Sequence, residues 1–227
     1  MDVKLILDFL KDLNKNNSMD WMKNNKSYYE QAKGEFEYLI LALIKEIKSF
    51  DNSIIILPPK DYMFKLNRDT RFSHDKSPYN PSFRAHISRA RKLPIPVGYF
   101  INIKPNNTFL GGGLFASMFS EATKNIREYI LKNEKKFVEI IDAPDFKNNF
   151  IVEGEKLKNV PKEYDVRHKL AEYLKYKSWY LEYKISDKDF LDQDNFIKVS
   201  VKIFKHMKPF NDFLNKALKD FKMPERK

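Results

Sequence analysis

The stretch that decides the fold is FRAHISRARKLPIPVGYFINIKPNNTFLGGGLF, residues 83–115. Apolar and polar side chains alternate in two places along it, at 83–88 and 97–104, and a third alternating stretch, 62–67, comes shortly before it. Residues 108–115 are a fourth candidate strand, interrupted by Gly111–Gly113. Alternation with a period of two is typical of strands that bury one face. Because no helical pattern separates these stretches, we expect four successive antiparallel strands that are covered on one face.

Helical periodicity dominates the sequence on both sides of the strand region. Apolar residues recur at helical spacing over 3–13 and 29–50. Further elements are predicted after the strands: helices at 121–133, 135–141, 168–174, 196–207 and 210–221, and a strand at 179–185. Pro209 is expected to break the last helical region, and 144–161 is expected to be irregular. The prediction is a single α+β domain over residues 1–227, with a mostly antiparallel sheet and the N- and C-terminal helices on one face.

The composition excludes several classes of protein. Of 227 residues, 42% are hydrophobic and 32% charged, so the chain can bury a core and is not disordered. The longest apolar run, Tyr38–Ile44, is far shorter than the roughly 18 residues of a membrane helix. The absence of cysteine excludes disulfides, zinc–thiolate sites and thiol nucleophiles. With no export signal in the sequence, we expect a cytoplasmic protein without membrane association.

The positive charge is concentrated in one part of the chain. The net charge is +11, but 34 of the 42 basic residues are lysines scattered along the sequence, which carry little information individually. Five of the eight arginines lie within 24 residues, at 68–91. Residues 60–104 contain ten basic and three acidic residues, a net charge of +7. This concentration favours an anionic partner, although a solvated basic face would have the same composition.

The densest polar segment is NRDTRFSHDKSPY, residues 67–79. Two guanidinium groups at Arg68 and Arg71 have the geometry to bind a phosphate or carboxylate bidentately. If the next strand lies alongside, Arg84 completes the same pocket. The alternative is a structural loop, in which Asp69 and Asp75 pair with the arginines and staple a hairpin. The sequence leaves both interpretations open.

The residues assigned to a ligand site are Arg68, Arg71, Lys76, Tyr79, Arg84 and Gly112. In this interpretation the arginines of the loop clamp the ligand, Lys76 neutralises its charge and Tyr79 donates a hydrogen bond. The run Gly111–Gly113 either turns a nest of N–H groups toward an anion or permits a bulge or tight strand crossing. His86, on the polar face beside Arg84, is a weak candidate for an acid or base. No metal site and no cofactor are predicted.

Three functions are compatible with these residues. The first is binding of a small phosphorylated or carboxylated ligand, with or without a reaction. The second is nucleic-acid binding by the same basic face, with Phe72 and Tyr79 stacking on bases. The third is a non-catalytic interaction module that meets an acidic protein. We rank the small anionic ligand first; the ligand, any reaction and the oligomeric state are left open by the sequence.

A family resemblance is carried by segment 68–79, which reads R-D-T-R-F-S-x-D-K-x-P-Y. Matching segments extend over nearly the whole chain: W-M-x-x-N-K-x-x-Y-E at 21–30, Gly98-Tyr99, Gly111–Gly113, Ile126-Arg127, L-K-x-K at 174–177 and Lys208-Pro209-Phe210. They resemble the conserved-hypothetical family called domain of unknown function 2461. The resemblance implies an intracellular protein of a bacterial and fungal family that has no established activity.

The chain departs from the family pattern at the edges of these segments. Lys65 stands where the family usually has arginine, and Asn80 where it usually has lysine. A proline that usually follows the glycine run is absent. These departures concern residues that would border the ligand site.

Overall fold

The computed structural model describes residues 1–71 and 73–224. The α-helices within them are α1 Val3–Lys15, α2 Met19–Asn24, α3 Lys26–Phe50, α4 Ser120–Lys132, α5 Glu134–Asp142, α6 Pro144–Asn149, α7 Ala171–Leu174, α8 Asp187–Leu191 and α9 Gln193–Ala217. The strands are β1 Phe83–Ile87, β2 Tyr99–Ile103, β3 Thr108–Leu114 and β4 Trp179–Ile185. Among the described residues, no helix has the length and apolar character needed to cross a membrane.

The four strands form one antiparallel sheet in the order β1-β2-β3-β4. The predicted α+β class, with helices at both ends of the chain and the sheet between them, is confirmed. The stretch 62–67 is not a full strand: it joins β1 through a single bridge between Met63 and Ala85. Beyond Phe64 the chain leaves β1 and pairs instead with residues 78–80.

The chain groups into two compact units. Unit 1 comprises residues 1–92, 100–110 and 184–202, and unit 2 comprises 93–99, 111–183 and the chain from Ile203 onward. The expectation of one domain over residues 1–227 therefore stays a prediction.

The core of unit 1 is built around the apolar face of β1. The ring of Phe83 stacks between Phe9 of α1 and Phe36 of α3, at centroid distances of 5.8 and 5.2 Å. All three side chains are buried, and each contributes about 1.5–3 kcal/mol through the area removed from water. Asp2 caps α1 by accepting a hydrogen bond from the N–H of Leu5 at 2.9 Å. The alternation and helical spacing of the sequence thus bring α1, α3 and β1 together.

Unit 2 uses buried amides on α9 to hold neighbouring backbone. The Asn211 side chain accepts from the N–H of Gly113 at 2.7 Å and donates to the carbonyl of Gly98 at 2.9 Å. One turn further on, Asn215 bonds both backbone groups of Val97, at 2.9 and 3.0 Å. These bonds pair backbone groups of Gly113, Gly98 and Val97, because an unpaired backbone group inside a core is costly.

Two predictions for the C-terminal half are wrong. Pro209 does not break the last helical region, because it lies within the continuous helix α9. A proline inside a helix removes one hydrogen bond and costs about 3 kcal/mol. Buried side chains on both sides of it, including Phe204 and Phe210, offset that cost by packing on one uninterrupted face. Residues 144–161 are not wholly irregular either, since Pro144 opens the short helix α6, a position where proline is favoured.

Two glycine substitutions are predicted to change stability in opposite directions. Gly113 has φ of +87°, and an added Cβ would overlap the carbonyl oxygen of Trp179 and lie 2.9 Å from Cα of Tyr180. Gly113→Ala is therefore expected to lower the free energy of unfolding by about 2 kcal/mol or more. Gly34 lies inside α3 with open space around its Cβ position, so Gly34→Ala is expected to raise it by about 0.5–1 kcal/mol.

Urea denaturation of both variants and the parent chain measures the difference. Equal unfolding midpoints for the two variants would contradict the placement of these glycines.

Candidate functional site

The arginine-rich segment forms a hairpin, residues 66–80, which we call the arginine hairpin. Its base is closed by two backbone bonds, from the N–H of Arg68 to the carbonyl of Pro78 at 2.9 Å and from the N–H of Asn80 to the carbonyl of Leu66 at 2.7 Å. Asn67 and Tyr79 form an antiparallel bridge between these bonds. Phe72, assigned to base stacking from the sequence, lies outside the described residues.

The two arginines of the hairpin are paired with its own carboxylates. Arg68 bonds Asp75 and also donates to the Ser77 hydroxyl at 3.2 Å. Arg71 forms two bonds to the carboxylate of Asp69, at 2.9 and 2.6 Å. These are the contacts expected of a structural staple. An anion bound by Arg68 or Arg71 would have to share or displace a carboxylate that is already in place.

Both carboxylates are held in their ionised form. The side chain of Arg71 lowers the pKa of Asp69 to about 2, mainly through its hydrogen bonds. Hydrogen bonds from Ser77, followed by those from Arg68, lower the pKa of Asp75 well below its usual range. At neutral pH the two arginines therefore face two negative charges, and much of the hairpin's positive charge is balanced locally.

Lys76 is also used within the hairpin. Its Nζ donates to the carbonyl of Thr70 at 3.0 Å, so the ammonium group ties the two arms of the loop together. Tyr79 is the predicted ligand residue that lines a cleft, which is described below.

Arg84 lies on the polar face of β1, among aromatic rings. Its guanidinium carbon is 5.6 Å from the ring centroid of Phe64, and Nη2 is 3.4 Å from the carbonyl oxygen of Lys65. The row continues across the sheet through Phe100 and Phe109, with centroid distances of 6.1 and 5.9 Å. Within the described chain Arg84 pairs with no carboxylate, and burial lowers the pKa of its guanidinium. Arg84 is thus a half-buried cation on an aromatic surface.

The remaining two predicted residues are enclosed. His86 is 6% exposed, and its backbone N–H pairs with the carbonyl of Tyr62 in the bridge next to β1. A Cβ on Gly112 would lie 3.0 Å from Oδ1 of Asn211 and 3.1 Å from Sδ of Met207. Both neighbours of Gly112 are side chains of α9. An acid–base role for His86 and an anion nest, bulge or strand crossing at Gly112 stay predictions.

A cleft of about 430 Å³ lies in unit 1 beside the base of the arginine hairpin. We call it the hairpin cleft; it is lined by Met19, Asp20, Met22, Lys23, Lys26, Tyr29, Glu30, Leu66, Asn67 and Tyr79. Sequence reasoning missed the residues from α2 and α3. The family resemblance at 21–30 could have pointed to them, because this segment supplies five of the lining residues: Met22, Lys23, Lys26, Tyr29 and Glu30.

The cleft is positioned by an asparagine that precedes α2. The Asn17 side chain donates to the carbonyl of Tyr79 at 2.9 Å and accepts from its N–H at 3.1 Å. These are the backbone groups of Tyr79 that point away from the hairpin partner, so one amide satisfies both. On the opposite wall, Tyr29 packs 5.7 Å from Phe9 in the core of unit 1. Both walls are therefore attached to the same core.

Two cations in the hairpin cleft have no acidic partner. Lys23 and Lys26 form no ion pair with any carboxylate in the described part of the chain, whereas Glu30 lies 3.6 Å from Nζ of Lys33. Burial raises the pKa of Tyr29, which keeps its phenol protonated and able to donate a hydrogen bond at neutral pH. The cleft thus presents two ammonium groups, two phenols and the amide of Asn67.

The fold and cleft define an α+β protein with a ligand-sized cleft and an internally paired arginine hairpin. The chain belongs to the family described as conserved hypothetical protein DUF2461, whose model matches residues 5–213. The resemblance seen in the sequence is thereby confirmed. No curated protein and no solved structure matched the chain in the same comparisons.

Two family segments away from the hairpin, at Arg127 and at the glycine run, have structural contacts of their own. Arg127 donates to the carbonyls of Leu174 and Tyr176, both at 2.7 Å, and its guanidinium lies 5.9 Å from the ring of Trp179. The glycine run is held by Asn211, as described above. Lys23 and Lys26, the two cations of segment 21–30 that line the cleft, have no ion pair in the described part of the chain, which makes the hairpin cleft the stronger candidate for function.

The Asp69–Arg71 pair generates a prediction about pH. In the folded chain Asp69 is expected to titrate near pH 2, and Arg71→Gln is expected to return its pKa toward the ordinary value. The pKa of Asp69 is lower in the folded chain than in the unfolded chain. The pair therefore stabilises the folded chain at pH values above the unfolded pKa, and this stabilisation is lost as the pH falls toward 2. Carboxyl NMR titration of both proteins measures the shift; an unchanged Asp69 pKa in the variant would contradict the pairing.

The amide of Asn17 generates a prediction about the cleft wall. Asn17→Ala removes two partly buried hydrogen bonds to Tyr79 and is expected to lower the free energy of unfolding by about 1–2 kcal/mol. The Tyr79 amide should also exchange faster with solvent. Asn14→Ala, at an exposed position of α1, is the control, and equal exchange rates in the two variants would contradict the clamp.

Proposed function

We propose that unit 1 binds a small phosphorylated or carboxylated ligand in the hairpin cleft. The observation that carries the proposal is the pair of ammonium groups, Lys23 and Lys26, that line the cleft without an acidic partner in the described chain. A cation that has no counter-ion of its own is available to an anion from solution.

The other lining groups complement such a ligand. Tyr29 and Tyr79 offer hydrogen-bond donors, and the Asn67 amide offers both a donor and acceptors. Leu66 and Met22 add apolar surface for the body of the ligand. The volume of about 430 Å³ lies within the range of roughly 300–1,000 Å³ typical of small-molecule sites.

The acidic residues of the cleft favour a compact anion over a polymer. Asp20 and Glu30 also line it, so its four charged side chains sum to zero. A long polyanion crossing the cleft would meet both carboxylates, whereas a small ligand can lie beside Lys23 and Lys26 alone. In this proposal Arg68 and Arg71 act by shaping the hairpin that presents Tyr79.

Nucleic-acid binding is a second candidate, and one observation favours it. Phe64, Phe100 and Phe109 form a partly exposed row across the sheet, with Arg84 beside Phe64 and Nζ of Lys184 4.9 Å from the ring of Phe109. Cations and rings in alternation are typical of surfaces that bind single strands. Binding of a short oligonucleotide that weakens steeply with salt and is lost in Arg84→Gln would favour this function over the cleft.

We propose binding alone and assign no reaction to the cleft. The proposal includes a cytoplasmic location, because a chain without cysteine gains nothing from an oxidising compartment.

The proposal predicts ligand-dependent stabilisation that requires the two lysines. The thermal midpoint is measured with phosphate, pyrophosphate, glucose 6-phosphate, succinate, citrate and AMP at constant ionic strength. A ligand present at about 100 times its Kd stabilises the folded chain by about 2.7 kcal/mol, which raises the midpoint by several degrees. Lys23→Gln/Lys26→Gln should weaken binding of the active compound at least about tenfold, since two charge-assisted contacts are lost.

The matched control is Lys45→Gln/Lys60→Gln, which removes the same charge from exposed positions of unit 1 outside the cleft. Retained binding in this control supports the cleft. If both double variants weaken binding equally, a general charge effect explains the result and the proposal is wrong. No shift with any compound would equally overturn it.

A further inference from the structure

Unit 2 contains a second cleft, which the sequence analysis did not anticipate. It has a volume of about 290 Å³ and lies between α9 and the pair α4–α5. We call it the α9 cleft; it is lined by Tyr129, Lys136, Ile140, Lys205, Lys208, Pro209, Asp212, Phe213 and Lys216.

Lysine is a larger fraction of the residues that line this cleft than of the whole sequence. Four of its nine lining residues are lysines, against 34 lysines among the 227 residues of the whole protein. Lysine makes up two of the ten residues that line the hairpin cleft, close to its fraction of the whole sequence. With Asp212 as the acidic lining residue, the side chains of the α9 cleft sum to a formal charge of +3.

The spacing on α9 explains how the lysines converge. Residues 205, 208, 212 and 216 recur every three or four positions and therefore share one face of the helix, with Pro209 next to Lys208. Lys136 comes from α5, on the other side of the cleft. Ile140 and Phe213 are buried beneath the rim, and the ring of Tyr129 packs edge-on against Phe213 at 4.9 Å. The cleft thus combines an apolar floor with a cationic rim.

The acidic group within the cleft neutralises one lysine. Nζ of Lys208 lies 2.6 Å from the carboxylate of Asp212. Lys136 lies 3.3 Å from Glu139, an exposed neighbour on its own helix, and such a pair contributes little in water. Lys216 has no carboxylate partner among the residues that the structure describes. Lys216 is therefore a cation of the rim that is available to a ligand.

We infer that the α9 cleft binds a compact ligand that carries a phosphate or diphosphate group next to an apolar or aromatic moiety. Four lysines against one carboxylate in the lining, with Lys216 unpaired in the described part of the chain, favour an anionic ligand. The volume is at the lower limit for small-molecule sites, so the ligand is small. The apolar floor favours a phosphate ester over the free ion, because the ester buries hydrocarbon as well as charge.

This inference does not rest on the proposed function of the hairpin cleft. The residues differ, the ligands are selected by different charge balances, and separate variants test them.

Isothermal titration calorimetry with phenyl phosphate, pyrophosphate and inorganic phosphate tests the inference at constant ionic strength. Phenyl phosphate is expected to bind at least about tenfold more tightly than inorganic phosphate, because its ring contacts Phe213 and Ile140. Lys136→Gln/Lys205→Gln is expected to weaken phenyl phosphate binding at least about tenfold. Both lysines are exposed, so the variant should keep the unfolding midpoint of the parent chain within a few degrees.

The matched control is Lys132→Gln/Lys135→Gln, which removes two exposed lysines from α4 and α5 that do not line the cleft. Unchanged affinity in this control supports the α9 cleft. Equal weakening in both double variants, or no measurable binding of phenyl phosphate and pyrophosphate, overturns the inference. Loss of binding in Lys23→Gln/Lys26→Gln, with full affinity in Lys136→Gln/Lys205→Gln, also overturns it and assigns the anion to the hairpin cleft.

Discussion

The stacking of Phe83 between Phe9 and Phe36 is the interaction on which unit 1 depends. It fixes α1 and α3 against the first strand. Because Phe9 also contacts Trp21 and Tyr29, the same cluster sets the position of α2 and of the N-terminal turn of α3. Those two elements form one wall of the hairpin cleft. The geometry of the candidate site is therefore a consequence of core packing several residues away from it.

The arginine hairpin shows why residue type alone does not identify an anion site. Asp69 already forms a bidentate pair with Arg71, and Asp75 forms a single ion pair with Nη1 of Arg68. The lysines of the two clefts are chemically less specific, yet Lys23, Lys26 and Lys216 have no carboxylate partner among the residues that the structure describes. What distinguishes a binding cation is the absence of a neighbouring carboxylate, which depends on the folded arrangement.

Much of the fold was predictable because it follows from local periodicity. The alternation at 83–88 and 97–104, the candidate strand at 108–115 and the helical spacing at 3–13 and 29–50 all correspond to observed elements. Pro209 shows where local preference fails: the propensity to break a helix was outweighed by burial on both sides of the proline, which only the tertiary structure provides. The stretch 62–67 is a similar case, since its alternation continues beyond the point where the chain leaves β1.

The candidate site was less predictable because it depends on pairs of residues that are distant in sequence. Asn17 and Tyr79 are 62 residues apart. Nothing in the sequence indicates that the side-chain amide of Asn17 binds the N–H and the carbonyl of Tyr79. Whether Asp69 and Asp75 staple the hairpin was left open for the same reason: a carboxylate two or seven residues from an arginine can reach it or face away. Residue types limit the chemistry that a site can perform. Contacts between distant segments decide which of those residues remain available to a ligand, and in the described part of this chain they favour Lys23, Lys26 and Lys216 over the arginines of the hairpin.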